Sequence, residues 1–173
     1  MRRQLCIVAA CLCAASTAGA AELPARKAGQ WEITMEFAGH HLPARTIRQC
    51  IDQATDKLMN KIGGEGSCSK REFSNVGATM AVDSVCTFGG ATTTSHAVVT
   101  GSFDSAYTVD VTSTRNGGPP IPGMAPGGAM HMKIAAKWLG PCPADERPGD
   151  MMMGNGMKIN VLDMQKAHRM APQ

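Results

Sequence analysis

No apolar run in this sequence reaches the roughly 20 residues that a membrane-spanning helix needs. The longest candidate, Leu5–Ala15, falls well short. Aromatics are scarce, with two Trp, one Tyr and four Phe. No basic block or aromatic-basic stripe follows the N-terminal segment, so no nucleic-acid partner is expected. The paired C-x-x-C spacing of structural zinc sites is missing. So is the G-x-S-x-G elbow of serine hydrolases. The Gly-rich stretches at 117–128 and 154–156 lack the strand-to-helix setting of a phosphate cradle. The acidic pair Asp145-Glu146 sits in a Pro-flanked loop and reads as solvated. The sequence therefore offers no catalytic residue, cofactor or fixed metal site, and an enzyme is not the expected reading.

What is present begins with an export signal. Arg2 and Arg3 supply the positive start, Leu5–Ala15 the apolar stretch, and Ala18-Gly19-Ala20 a small-residue cleavage site. This divides the chain into a signal peptide, residues 1–20, and a single β-rich domain, residues 21–173. Such a domain is large enough to bury its own core as a monomer. The formal net charge of +3 drops by two when Arg2 and Arg3 leave. Val8-Ala9-Ala10-Cys11 loosely matches a lipoprotein box, but the apolar run before Cys11 is very short. A soluble periplasmic form is expected over a lipid-anchored one.

Of the seven cysteines, Cys6, Cys11 and Cys13 leave with the signal. Cys50, Cys68, Cys86 and Cys142 remain, an even number in an oxidising compartment, which predicts two disulfides.

Strand patterns dominate the domain. In "GQWEITMEF", Trp31, Ile33, Met35 and Phe37 alternate with Gln30, Glu32, Thr34 and Glu36, as in a half-buried antiparallel strand. "ARTIRQCI" gives a short second strand. A helix is predicted over about 52–62, with Asp52 as N-cap and Ala54, Leu58, Met59 and Ile62 at helical spacing. Strands near 68–74 and 79–88 flank Asn75-Val76-Gly77 as a hairpin.

"TTTSHAVVTGSFDSAYTVDVTSTR" predicts a hairpin turning at Asp104-Ser105. That register sets Val98 against Val111, Thr100 against Val109 and Ser102 against Tyr107 on one face, with Thr108, Asp110 and Thr112 on the other. Residues 116–128 form a Pro/Gly-rich loop, 130–139 a last long strand, and the stretch from Met157 a strand or short helix, with a frayed tail over 166–173. The fold class is mainly β, at the margin of α+β: a strongly curved antiparallel sheet or small open barrel with one short helix.

Met130-His131-Met132 has the look of a soft ligand set. Strand alternation separates it, however. Met130 and Met132 fall with Ile134, Ala136 and Trp138, and His131 falls opposite with Lys133 and Lys137. The methionines thus read as core filler. The alternative, a copper-binding protein, would rest on the loop residues Met124, Met151, Met152, Met153 and Met157. His40-His41 reads as a solvated turn and His96 as a half-exposed sheet histidine.

Cys68 and Cys86 bracket the first hairpin symmetrically, which predicts their bond and leaves Cys50 with Cys142. The landmarks then fall in a familiar order: "KAGQWEITMEF", "RQCID", "CSKREF…GATMAVDSVC", "TTTSHAVVTGSFDSAYTV" and "KWLGPC". Over about residues 24–165 the sequence resembles the exported bacterial proteins grouped as domain-of-unknown-function family 3617. The resemblance implies export and a single domain, and no activity. The function expected is a non-catalytic, disulfide-stapled periplasmic binding or structural module. Its partner would be a small apolar ligand or envelope component on the curved sheet.

Overall fold

A computed structural model describes residues 23–38, 43–62, 67–77, 79–120 and 127–170. The export signal, the Cys11 box, His40-His41 and Met124 lie outside them. In chain order the elements are β1 (Gly29–Ala38), β2 (Arg45–Ile51), α1 (Gln53–Ile62), β3 (Ser67–Val76) and β4 (Thr79–Phe88). There follow β5 (Ala91–Ser102), β6 (Ala106–Gly117), β7 (Ala129–Gly140), β8 (Asp150–Met152), β9 (Lys158–Asn160) and α2 (Val161–Met170). The strands make one antiparallel sheet in the order β3-β4-β5-β6-β7-β1-β2-β8-β9.

This sheet corrects the expected architecture. It is mainly β, but β3 and β9 are opposite edges that do not pair, so no barrel closes, and the sheet is not strongly curled. The described residues also hold two short helices, not one. The C-terminal segment is strand and then helix, so residues 166–170 belong to α2 and not to a frayed tail.

Two registers differ from the sequence reading, for local reasons. The β5–β6 turn spans three residues, Phe103 to Ser105, because the ladder ends at Ser102↔Ala106. Phe103 is drawn out of the ladder: its ring stacks on Tyr107 at 4.7 Å, and its carbonyl accepts from Lys27 N at 2.9 Å. A one-residue slip exchanges every side chain between faces. Val99 and Ala97 therefore join Val109 and Val111, while Val98 and Thr100 lie opposite Asp110 and Thr108.

In the β3–β4 hairpin, Val76 pairs with Thr79, a shorter connection than the sequence suggests. Gly77 takes a φ of 62° there, the left-handed conformation that tight hairpins require. Alone, this turn would move Cys68 away from Cys86. A bulge between Cys68 and Lys70 restores the offset, so Cys68 faces Cys86 and bonds it. The second disulfide joins Cys50, at the end of β2, to Cys142, just after β7.

α1 starts as its sequence predicts. Asp52 Oδ1 accepts from Thr55 N at 2.8 Å, and Thr55 Oγ1 accepts from Asp52 N at 2.9 Å. This reciprocal cap satisfies two otherwise unpaired helix-end donors. The inward face differs from expectation: Thr55 and Asp56 are buried, Met59 is half-buried, and Ala54 is exposed.

The reason is Arg26. Its Nε donates to Asp56 Oδ1 at 2.8 Å, its backbone N to Asp56 Oδ2 at 2.9 Å, and its Nη1 to Gln49 Oε1 at 3.0 Å. The Asp56 side chain is 0 % exposed and that of Arg26 is 9 % exposed. A chain segment, residues 23–28, is thereby strapped over the core of Trp31, Ile33, Ile51 and Ala136. Trp31 Nε1 donates to Lys27 O at 2.8 Å, and Trp138 Nε1 to Ala28 O at 3.1 Å. Lys27 Nζ sits 3.7 Å from the Trp138 ring centroid. Gly29 must be glycine here: its φ is 132°, and a Cβ would strike Gly140 O and Trp138 Nε1.

Two outcomes follow. Removing one partner of a buried ion pair strands the other charge, at a cost of about 3–5 kcal/mol. Arg26→Ala or Asp56→Ala should each destabilise on that scale in urea unfolding, while the apolar double variant Arg26→Met/Asp56→Leu should be milder than either. Single-variant costs below about 1 kcal/mol would contradict the strap. The disulfides close loops of very different length, with sequence separations of 92 for Cys50–Cys142 and 18 for Cys68–Cys86. In the chain-entropy model the longer one stabilises more, by about 1.4 kcal/mol. Replacing Cys50 and Cys142 with Ser should lower Tm more than replacing Cys68 and Cys86.

Candidate functional site

The sheet has two unlike faces. On the face that carries the core, cross-strand partners build two continuous apolar rows. One runs Met35, Ile134, Val109, Val99, Met80 from β1 to β4. The next runs Phe37, Met132, Val111, Ala97, Val82, Phe73 from β1 to β3. Beyond them lies a polar row of Ser113, Ser95 and Ser84, in which Ser84 and Ser95 share a hydrogen bond of 2.7 Å.

Cover is uneven along these rows. α1 packs at β2 and α2 at α1 and β9, all toward one end of the sheet. Met59 of α1 reaches the Trp31 core. Across β4 to β7, Val82, Ala97, Val109, Val111, Met130 and Met132 are only half-buried. Met130 and Met132 do share the face of Ile134, Ala136 and Trp138, with His131, Lys133 and Lys137 exposed opposite. They flank the packed centre and do not fill it.

The other face is hydroxyl-rich and wet. Thr34–Thr46, Thr100–Thr108 and Thr112–His131 pair across strands at 3.1, 2.7 and 3.2 Å. His96 Nδ1 lies 2.8 Å from Asp83 Oδ1, with the His96 side chain 53 % exposed. An exposed pair of this kind on an open sheet contributes little and has no enclosing walls to hold a substrate.

A second concavity, about 410 Å³, lies beside β8, β9 and α2 and is lined by Asp145, Glu146, Arg147, Asp150, Lys158 and Asp163 among others. Its charges largely answer one another. Asp150 Oδ1 accepts from Asn160 Nδ2 at 2.7 Å and Asp150 Oδ2 from Arg147 N at 3.0 Å, with Lys158 Nζ 3.7 Å away. Arg147 also pairs with Asp163. Glu146 is half-buried, not solvated as expected, and accepts from Gln30 Nε2 at 3.1 Å.

The methionines of the C-terminal segment are more ordered than a loop would make them. Met151 and Met152 lie on β8, where successive side chains diverge. Met151 Sδ accepts from Gln49 Nε2 at 3.5 Å. Met153 and Met157 belong to the turn that follows β8, Met153 N donating to Met157 O at 2.8 Å. Among the described residues no group of three or more His, Cys, Asp or Glu could hold a metal ion.

Two carboxylates carry a pH dependence. Burial pushes the Asp150 pKa up, but the Arg147 and Asn160 hydrogen bonds and the nearby Lys158 and Arg147 charges outweigh it, leaving a net decrease. The backbone and hydroxyl donors of Thr55 lower that of Asp52. A folded-state pKa below the unfolded value of about 3.9 means the unfolded chain takes up the proton first as pH falls. The stabilisation is therefore complete above that value and lost as pH drops through the folded pKa. Asp150→Asn should flatten the acid limb of a stability-versus-pH curve measured by urea unfolding. An acid limb unchanged from the wild type would contradict this.

No curated protein and no solved structure matches the chain. A family model does, described as Protein of unknown function (DUF3617), over residues 26–142. The match opens at Arg26 of the strap, takes in β1 to β7 and all four bonded cysteines, and ends at Cys142. It is shorter than the resemblance read from the sequence, and β8, β9 and α2 lie beyond it. With about two thirds of its length matched, most of the strap, seven strands of the sheet and both staples included, the chain belongs to the DUF3617 family.

Proposed function

We propose that this protein is a non-catalytic binding module, exported to the periplasm, that takes an apolar ligand or envelope component on the open face of its sheet. The observation that carries the reading is the pair of apolar rows across β4 to β7, half-buried except at the buried Val99 and beyond the end where the helices pack. A continuous apolar patch of this kind commonly marks an interaction site. The ligand would lie against a broad face, because the sheet has no barrel mouth to enclose it.

Export is supported by chemistry that an oxidising compartment favours. Two disulfides staple the domain, and such bonds are rare where thiols are kept reduced. Among the described residues no helix is long and apolar enough to cross a membrane.

The test is binding of a neutral apolar dye, N-phenyl-1-naphthylamine, read by its fluorescence. Val111→Glu places an unpaired charge in the second row, which is costly to desolvate, and should weaken dye binding about tenfold or more. Thr112→Glu, the neighbouring residue on the wet face, should leave it unchanged. Equal dye binding by both variants, or none by the wild-type protein, would sink the reading.

A further inference from the structure

Charge is distributed between the two faces of the sheet with a consistent sign. Glu32, Glu36, Glu72, Asp83 and Asp110 all occupy wet-face positions. No Asp or Glu projects from a described strand position on the apolar face. That face does carry arginines: Arg45 stands opposite Met35 at one end of the first apolar row, and Arg71 opposite Ser84 at the far side, beside Phe73. Arg115 lies between them, its Nη1 donating to Pro119 O at 2.8 Å.

The arginines elsewhere are neutralised. Arg26 meets Asp56, Arg48 meets Glu32, and Arg147 meets Asp150 and Asp163. Among the described residues, neither Arg45 nor Arg71 has a carboxylate partner, and both are exposed. A guanidinium offers a planar fork of donors suited to a carboxylate. The second apolar row crosses six strands from β1 to β3, five spacings, or roughly 24 Å at the usual separation between strands, and the first crosses five. An apolar strip of that length, with Arg45 at one end of the first row, Arg71 beside Phe73 at the far end of the second, and no carboxylate along it from a described strand position, is complementary to one chemistry.

We propose that this face binds a long-chain carboxylate, its acyl chain lying across the strands and its head group against Arg45 or Arg71. The inference rests on the apolar-face reading above and adds the ligand class to it. A chain extended along the second row meets Met132, Val111, Ala97 and Val82 in succession. The serine row marks the boundary of the apolar strip.

Equilibrium dialysis of the mature protein with labelled dodecanoate and, separately, dodecanol, both below their aggregation limits, tests the charge selection. A charge-assisted hydrogen bond is worth enough to shift affinity about tenfold. Dodecanoate should therefore bind about tenfold tighter than dodecanol. Arg45→Gln/Arg71→Gln should bring the two to within about twofold, chiefly by weakening dodecanoate. Should that variant fail to fold, the wild-type comparison decides alone. Equal affinities for the two probes in the wild type would overturn the carboxylate proposal and leave the apolar-face reading standing. Failure of both probes where the neutral dye still binds would overturn the lipid-chain class. Sedimentation with anionic phospholipid vesicles without binding of monomeric dodecanoate would assign the face to a membrane surface and overturn the proposal. Failure of both probes and the dye together would remove the apolar-face reading as well.

Discussion

The period-two alternation of side chains, kept in phase across consecutive antiparallel strands, is the constraint on which the rest of this structure depends. Each ladder from β1 through β7, β6, β5 and β4 aligns apolar positions with apolar positions. One face therefore carries continuous apolar rows, and the other carries most of the hydroxyls and the strand carboxylates. A single slip anywhere would mix the two. The three-residue turn at Phe103 sets this phase between β5 and β6, and the bulge beside Cys68 sets where that cysteine meets Cys86.

A one-sided sheet must bury its apolar face against something, and this chain does so over only part of it. Around Trp31, Ile33, Ile51 and Ala136, cover comes from α1 and from the strap at 23–28. The strap is held by one buried ion pair, Arg26–Asp56, assisted by Gln49 and by two tryptophan donors. The Cys50–Cys142 bond ties the same end, and Gly149 N donates to Cys50 O at 2.8 Å, leading the chain into β8. Among the described residues, the helices pack at β2 and β9 and not over the apolar rows away from this end. The energetic centre and the proposed binding face are thus two regions of one surface, one sealed and one open.

Much of this was legible in the sequence. The first strand, the Asp52 cap, the alternation about Met130 and Met132, and the mainly antiparallel character follow from local patterns. Cys68 and Cys86 meet because two deviations, a shorter turn and a bulge, cancel, and sequence symmetry alone could not reveal either. The β5–β6 register departs from the local pattern because Phe103 has the character of a strand residue. Only its stacking on Tyr107 removes it from the ladder, and that contact is tertiary. Ala54 seemed the natural inward residue of α1, yet the helix turns Asp56 inward because Arg26, thirty residues earlier, waits there. The rows of the open face depend on registers between strands far apart in sequence. Their arginine ends become visible only once those registers are known.

The central claim is that the apolar face across β4 to β7 is open in the free monomer. Solvent paramagnetic relaxation of methyl groups reads this directly, using a soluble gadolinium chelate and methyl-labelled protein. The account predicts that the methyls of Val82, Val109 and Val111 relax nearly as fast as those of Val98 on the wet face, while Ile33 and Ile51 stay protected. Val82, Val109 and Val111 as protected as Ile51 in a monomer would mean that the chain covers its own face, and would contradict the account.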